Sequence, residues 1–99
     1  MGYRILARNF RAAGAEIDLV ALDGTTLVFL EVKTRLSLSA GRPEEAVDSR
    51  KQLRLRRAAQ AYLARQPLEL RSRPVRFDVA ALTQSGLRTR LALFKDAFR

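Results

Sequence analysis

The chain has 99 residues, 47% of them hydrophobic, which makes one domain near the lower limit for an independent core. With 19 Lys and Arg against 10 Asp and Glu, its net charge of +9 favours a polyanionic partner, nucleic acid ahead of a membrane surface. Neither Cys nor His is present, which excludes disulfides, thiol and imidazole nucleophiles, histidine bases and zinc fingers.

No apolar run approaches the roughly 20 residues of a membrane span. The N-terminus also lacks a charged region followed by an apolar signal segment, so a soluble, cytoplasmic protein is expected. Arg outnumbers Lys 16 to 3. Guanidinium forks suit phosphates, although codon bias in the source genome yields the same ratio.

In chain order, Tyr3 to Arg11 alternates as a first strand. Its Arg4, Arg8 and Arg11 fit a solvated edge or phosphate contact equally well. Ile17 to Leu22 and Thr26 to Thr34 read as two further strands, rich in β-branched and aromatic residues, with Asp23-Gly24 as a two-residue turn. That turn pairs Leu22 with Thr25, Val20 with Leu27, Asp18 with Phe29 and Glu16 with Glu31. Paired residues share a face, so Glu16, Asp18, Phe29, Glu31 and Lys33 project from one side.

Glu16 opposite Glu31 is a like-charge pair that destabilises a sheet. A divalent cation relieves it, because Mg²⁺ takes one or two carboxylates together with water and phosphate oxygens. The alternative is a solvated charged face, which would strand Phe29 in water.

Arg35 to Arg42 is a polar loop beside the carboxylates, with Arg35 and Arg42 placed to receive a phosphate. Pro43-Glu44-Glu45 opens a helix that runs to about Arg65 and stops before Pro67. Val47, Leu55, Ala58, Ala59 and Tyr62 form its apolar stripe. Lys51 lies within the stripe, either snorkelling past the sheet edge or reaching the carboxylates. Arg50, Arg54 and Arg57, with Arg56, form the densest basic segment, either solvated surface or a face for nucleic acid.

Gln66 to Pro74 is a connector. Val75 to Leu82 is a strand with Val75, Phe77, Val79 and Ala81 on one face and Asp78 on the other, where a structural salt bridge or backbone cap is preferred to metal binding. Gln84-Ser-Gly86 turns the chain into an edge strand, Leu87 to Phe94, and Phe98 anchors the end. The expected fold is α/β, a mixed central sheet covered by one long helix in a single domain over residues 1–99.

The string Glu16-Ile-Asp18, followed by Glu31-Val-Lys33, resembles the PD-(D/E)XK nuclease signature. More narrowly, Gly-x-Glu-Ile-Asp-Leu-Val, Phe-Leu-Glu-Val-Lys-Thr-Arg and Arg76-Phe-Asp-Val79 resemble the YraN-like bacterial family, related to archaeal Holliday-junction resolvases. The resemblance implies a restriction-endonuclease-like core. In that family a helix bearing a glutamate precedes the first strand, and this core is expected to lack it.

The resemblance further implies Mg²⁺ or Mn²⁺ held by Asp18, Glu31 and the Val32 carbonyl, with Glu16 direct or through water. Lys33 would orient or deprotonate the attacking water and offset developing charge, the electrostatic role being favoured because carboxylates oppose a depressed lysine pKa. It also favours Lys51 reaching the site as a second cation. The implied activity is a structure-selective DNA endonuclease, with branched DNA as a candidate substrate, working as a homodimer. The competing expectations are a non-catalytic nucleic-acid-binding module with a vestigial site, or an assembly factor docking on a nucleoprotein particle.

Overall fold

A computed structural model of the chain describes residues 2–35 and 47–99. Five strands form one sheet in the order β1-β2-β3-β4-β5: β1 Arg4–Ala12, β2 Ala15–Asp23, β3 Thr26–Arg35, β4 Val75–Ser85 and β5 Arg88–Phe98. Every neighbouring pair is antiparallel except β3 with β4, which run parallel. Parallel strands need a long crossover, and here it contains α1, Ser49–Ala64, and the short α2, Leu68–Arg71. The expected α/β class, with a mixed sheet and a long helix, is what the chain adopts. Among the described residues no helix is long and apolar enough to cross a membrane.

The hairpin turn differs from the expected one. Asp23 pairs with Thr26, Leu22 with Leu27 and Val20 with Phe29. Gly24, at φ 60°, therefore takes the first central position, where a type II′ turn needs glycine. Asp23 is kept in the ladder because its carboxylate accepts from Arg76 Nη2 at 2.9 Å. The register slides by two residues, a full side-chain period, so the slide alone turns no side chain over, although alternation breaks within β2, where Ile17 and Val20 both pack into the core beneath α1. The expected opposition of Glu16 and Glu31 is thereby removed. Glu16 instead pairs with Arg11 of β1, and their side chains meet at 3.3 Å.

The helix begins later than expected. Asp48 caps it, accepting from the Lys51 N–H at 2.9 Å and satisfying one of the orphan donors of the first turn. The expected start at Pro43-Glu44-Glu45 lies outside the described residues. Of the expected apolar stripe, Leu55, Ala58, Ala59 and Tyr62 are buried on α1, whereas Val47, also buried, precedes the Asp48 cap and lies outside the helix. Tyr62 sits edge-on to Phe10 at 5.2 Å and to Phe29 at 5.9 Å. Phe29 stacks on Phe77, and Phe77 stacks on Phe98 at 4.9 Å. Each such pair adds about 0.5–1.5 kcal/mol beyond the area it buries. Phe98 thus holds the end of β5, which runs four residues further than the expected edge strand.

On the other face of the sheet Asp78 is completely buried. Its carboxylate accepts from Tyr3 Oη at 2.8 Å, Arg76 Nε at 2.8 Å and the Asp96 N–H at 2.9 Å. The structural reading of Asp78 accounts for all of these contacts. Asp96 reaches it from a left-handed backbone, at φ 53°, inside a break in the β4–β5 register.

Candidate functional site

Phe29, Glu31 and Lys33 alternate along the side of β3 that the helix covers. Phe29 closes the core against Tyr62, and two residues on Glu31 meets Lys51 from α1. The Glu31 side chain is only 8% exposed. Its Oε1 lies 2.7 Å from Lys51 Nζ and 3.6 Å from Lys33 Nζ. Its Oε2 is buried with no hydrogen-bond partner among the described residues. Lys51 therefore takes the route to the carboxylates rather than snorkelling away from them.

Asp18 enters from β2. Its Oδ2 accepts the backbone N–H of Val32 at 2.7 Å. The β2–β3 ladder runs only as far as Leu19 with Leu30, so this carboxylate replaces the next backbone contact. The strands part there and leave a cleft of about 480 Å³. Glu16, Asp18, Glu31, Asp48, Lys51 and Arg54 all border it.

Two ammoniums sharing one carboxylate oxygen divide its stabilisation unequally. Lys33 is held below the ordinary lysine value, first by the neighbouring Lys51 and then by burial, with Glu31 working in the opposite direction. Lys51 is raised: burial opposes this, but its hydrogen bond to Glu31 and the attraction of the Glu31 and Asp18 charges prevail. The expectation that carboxylates would keep Lys33 high thus omitted the second amine, which lies 18 positions away in sequence.

The remaining expected site residues fall in different places. Glu16 borders the cleft while bonding Arg11. Among the described residues no three acidic side chains come close enough together to ligate one ion. Arg50, Arg54 and Arg57 are exposed on α1, and Arg54 alone of these lines the cleft. Arg35 ends β3, with its side chain outside the described residues, as is the whole of Arg42.

Asp48 was not expected at the site. Its signal was the helix-cap pattern Asp48-Ser49-Arg50-Lys51, obscured by the stronger start at Pro43. A second cleft, of about 520 Å³, includes Arg76, Asp96 and Arg99. Its charges are already matched, Arg76 with Asp78 and Arg99 with Asp96 at 2.7 Å. Among the described residues that line it, no side-chain polar atom is buried without a partner, so the Glu31 cleft is the candidate site.

Similarity to known sequences covers this whole region. The model of "Uncharacterised protein family UPF0102" matches residues 1–82. A UPF0102 protein of Moorella thermoacetica is 54% identical over 81 residues, covering 82% of this chain and 66% of the relative. One from Symbiobacterium thermophilum is 50% identical over 98 residues, covering 98% and 81%. Another, from Geobacter metallireducens, is 47% identical over 96 residues, covering 97% and 77%.

Proposed function

The chain belongs to the UPF0102 family, and on that premise we propose that it is a metal-dependent endonuclease that hydrolyses phosphodiester bonds in DNA. The observation that carries this reading is the unpartnered Glu31 Oε2, buried beside Asp18 in one cleft. A buried carboxylate oxygen without a partner is costly, and a divalent cation is the chemistry that satisfies it. Hard cations need only one or two carboxylates when water and phosphate supply the remaining ligands. Asp18 and Glu31 fit that requirement, joined by the Val32 carbonyl, with Glu16 contributing through water.

When bound, Mg²⁺ or Mn²⁺ supplies Lewis acidity towards the phosphodiester and lowers the pKa of water. The protein's own groups do the rest. Asp18 holds Val32 in place through its backbone N–H. Lys51 fixes Glu31 and keeps its proton, whereas Lys33, with its lowered pKa, can orient or deprotonate the attacking water. Both amines offset negative charge developing on phosphate. Three strands, a crossover helix and a parallel fourth strand support a restriction-endonuclease-like core. Branched DNA as substrate and a homodimer as the working form are parts of the same proposal.

One observation favours a second reading, a non-catalytic nucleic-acid-binding module or nucleoprotein assembly factor. Glu16 is turned to Arg11, and no third acidic side chain joins Asp18 and Glu31 among the described residues. Cleavage of labelled single-stranded, duplex, flap and four-way-junction DNA, with Mg²⁺ or Mn²⁺, decides between them. The nuclease reading expects cutting that Asp18→Asn and Lys33→Ala abolish. If nothing is cut and all variants bind DNA alike, the module reading replaces it.

A further inference from the structure

β4 and β5 continue beyond the sheet that supports them. β3 pairs with β4 as far as Arg35 with Thr83. The β4–β5 ladder goes on through Gln84 with Thr89 and Ser85 with Arg88, then turns at Gly86-Leu87. The projection lies at the end of β3 towards which Glu31 and Lys33 lead. From Leu82 to Phe94 it contains no acidic residue.

The register fixes which way its charges face. Glu31 pairs with Val79, which pairs with Phe94. The next rung on this face is Lys33, Ala81 and Ala92. The two beyond it place Arg90 opposite Thr83 and Arg88 opposite Ser85. Arg90 and Arg88 therefore project from the same side as Glu31 and Lys33. Both are exposed. Arg11, Arg73, Arg76 and Arg99 are each matched by a carboxylate, but neither Arg88 nor Arg90 forms an ion pair among the described residues.

We propose that this β4–β5 ribbon is the arm that holds duplex nucleic acid leading away from the cleft, with Arg88 and Arg90 taking backbone phosphates. The position of the cut rests on the hydrolytic reading of the cleft; the binding does not. At about 3.3 Å per residue, the Arg90 rung lies roughly 13 Å and the Arg88 rung roughly 20 Å beyond that of Glu31. At about 3.4 Å per nucleotide, this corresponds to roughly four to six base pairs. A mononucleotide or dinucleotide spans neither distance, so the ligand is a polynucleotide. A two-stranded ribbon also fits the major groove of B-form DNA, and guanidinium forks grip phosphate through two parallel hydrogen bonds. Arg54 supplies a cation at the cleft itself.

The test is equilibrium binding of a labelled DNA duplex across a salt series in EDTA, comparing the native chain with Arg88→Ala/Arg90→Ala. Because each phosphate contact contributes about 0.9 to the slope of log affinity against log salt, the double variant should lose nearly 2 from that slope. It should also bind at least about tenfold more weakly near 50 mM salt. Both side chains are exposed, so an unchanged circular-dichroism melt separates this loss from unfolding. An unchanged slope and affinity overturn the arm, as does a native chain that prefers an acidic polypeptide to duplex DNA. Since no metal is present, loss of the slope in a protein that never cuts DNA leaves the arm standing and removes only the nuclease reading.

Discussion

Asp18 gives one carboxylate oxygen to the backbone N–H of Val32, at 2.7 Å, the residue directly after Glu31. One side chain thus does two jobs: it joins β2 to β3 where their ladder stops, and it brings a carboxylate to the border of the cleft. The jobs can be separated. Asp18→Asn retains a carbonyl that can accept from Val32 but loses the charge. It should melt near the native temperature while losing both cleavage and any thermal shift induced by Mn²⁺. Asp18→Ala loses the contact as well, and urea unfolding should show a cost of about 2 kcal/mol, the scale of a hydrogen bond to a charged group. Equal stability of the two variants would show that the Val32 contact has no weight.

The low lysine value at the site has a specific origin. Lys51 is the foremost cause of the depression of Lys33, so Lys51→Met should return Lys33 towards the ordinary value. The chain has only three lysines, Lys33, Lys51 and Lys95, which makes a side-chain NMR titration direct to assign. The expected result is an upward move of the Lys33 midpoint in the variant. A midpoint that stayed in place would assign the depression to burial instead.

The buried carboxylate on the opposite face governs stability. Asp78→Ala leaves Arg76 without its strongest partner and the Asp96 N–H without an acceptor. Breaking a buried ion pair from one side costs about 3–5 kcal/mol, and chemical denaturation should register a loss of that size. By contrast, changing Arg88 and Arg90 should leave stability nearly untouched, since both lie exposed at the sheet's edge.

Tyr3, bonded to Asp78, adds an alkaline dependence. Burial first, then the hydrogen bond to the Asp78 carboxylate, pushes its phenol up to about 12. The folded chain holds this proton more tightly than the unfolded chain. The corresponding stability is therefore intact below the ordinary tyrosine value near 10 and is lost as pH rises through about 12. Tyrosinate absorbance of the native protein should lag behind that of the unfolded chain across this window. Tyr3→Phe should flatten the stability loss there.

Asp48 both caps α1 and borders the cleft. Asp48→Ala should cost about 1 kcal/mol through the lost cap. Asp48→Ser restores a capping oxygen without the charge. Recovery of stability together with cleavage would make Asp48 purely structural, whereas recovery of stability alone would assign its charge to the chemistry.

Local pattern was enough to identify the strands, the apolar stripe of α1 and the two carboxylate-bearing segments. Alternation and helical spacing are short-range properties, and a hairpin error of two residues leaves every side chain on its own face. For the same reason Glu31 and Lys33 could be assigned to one side before their partners were known. The helix start was less legible, because Asp48 competed with the equally regular signal of Pro43-Glu44-Glu45.

What sequence could not decide was which charges meet. Lys51 and Lys33 converge on one oxygen of Glu31, Glu16 turns to Arg11, and Asp78 gathers Tyr3, Arg76 and Asp96. The partners of Asp78 lie 75, 2 and 18 positions away. The sequence alone determined where the acidic and basic groups stand on each strand and helix. Only the packing of α1 across a sheet whose third and fourth strands run parallel decided which of them become neighbours, because electrostatic contact depends on distance in space and a crossover erases its relation to distance along the chain.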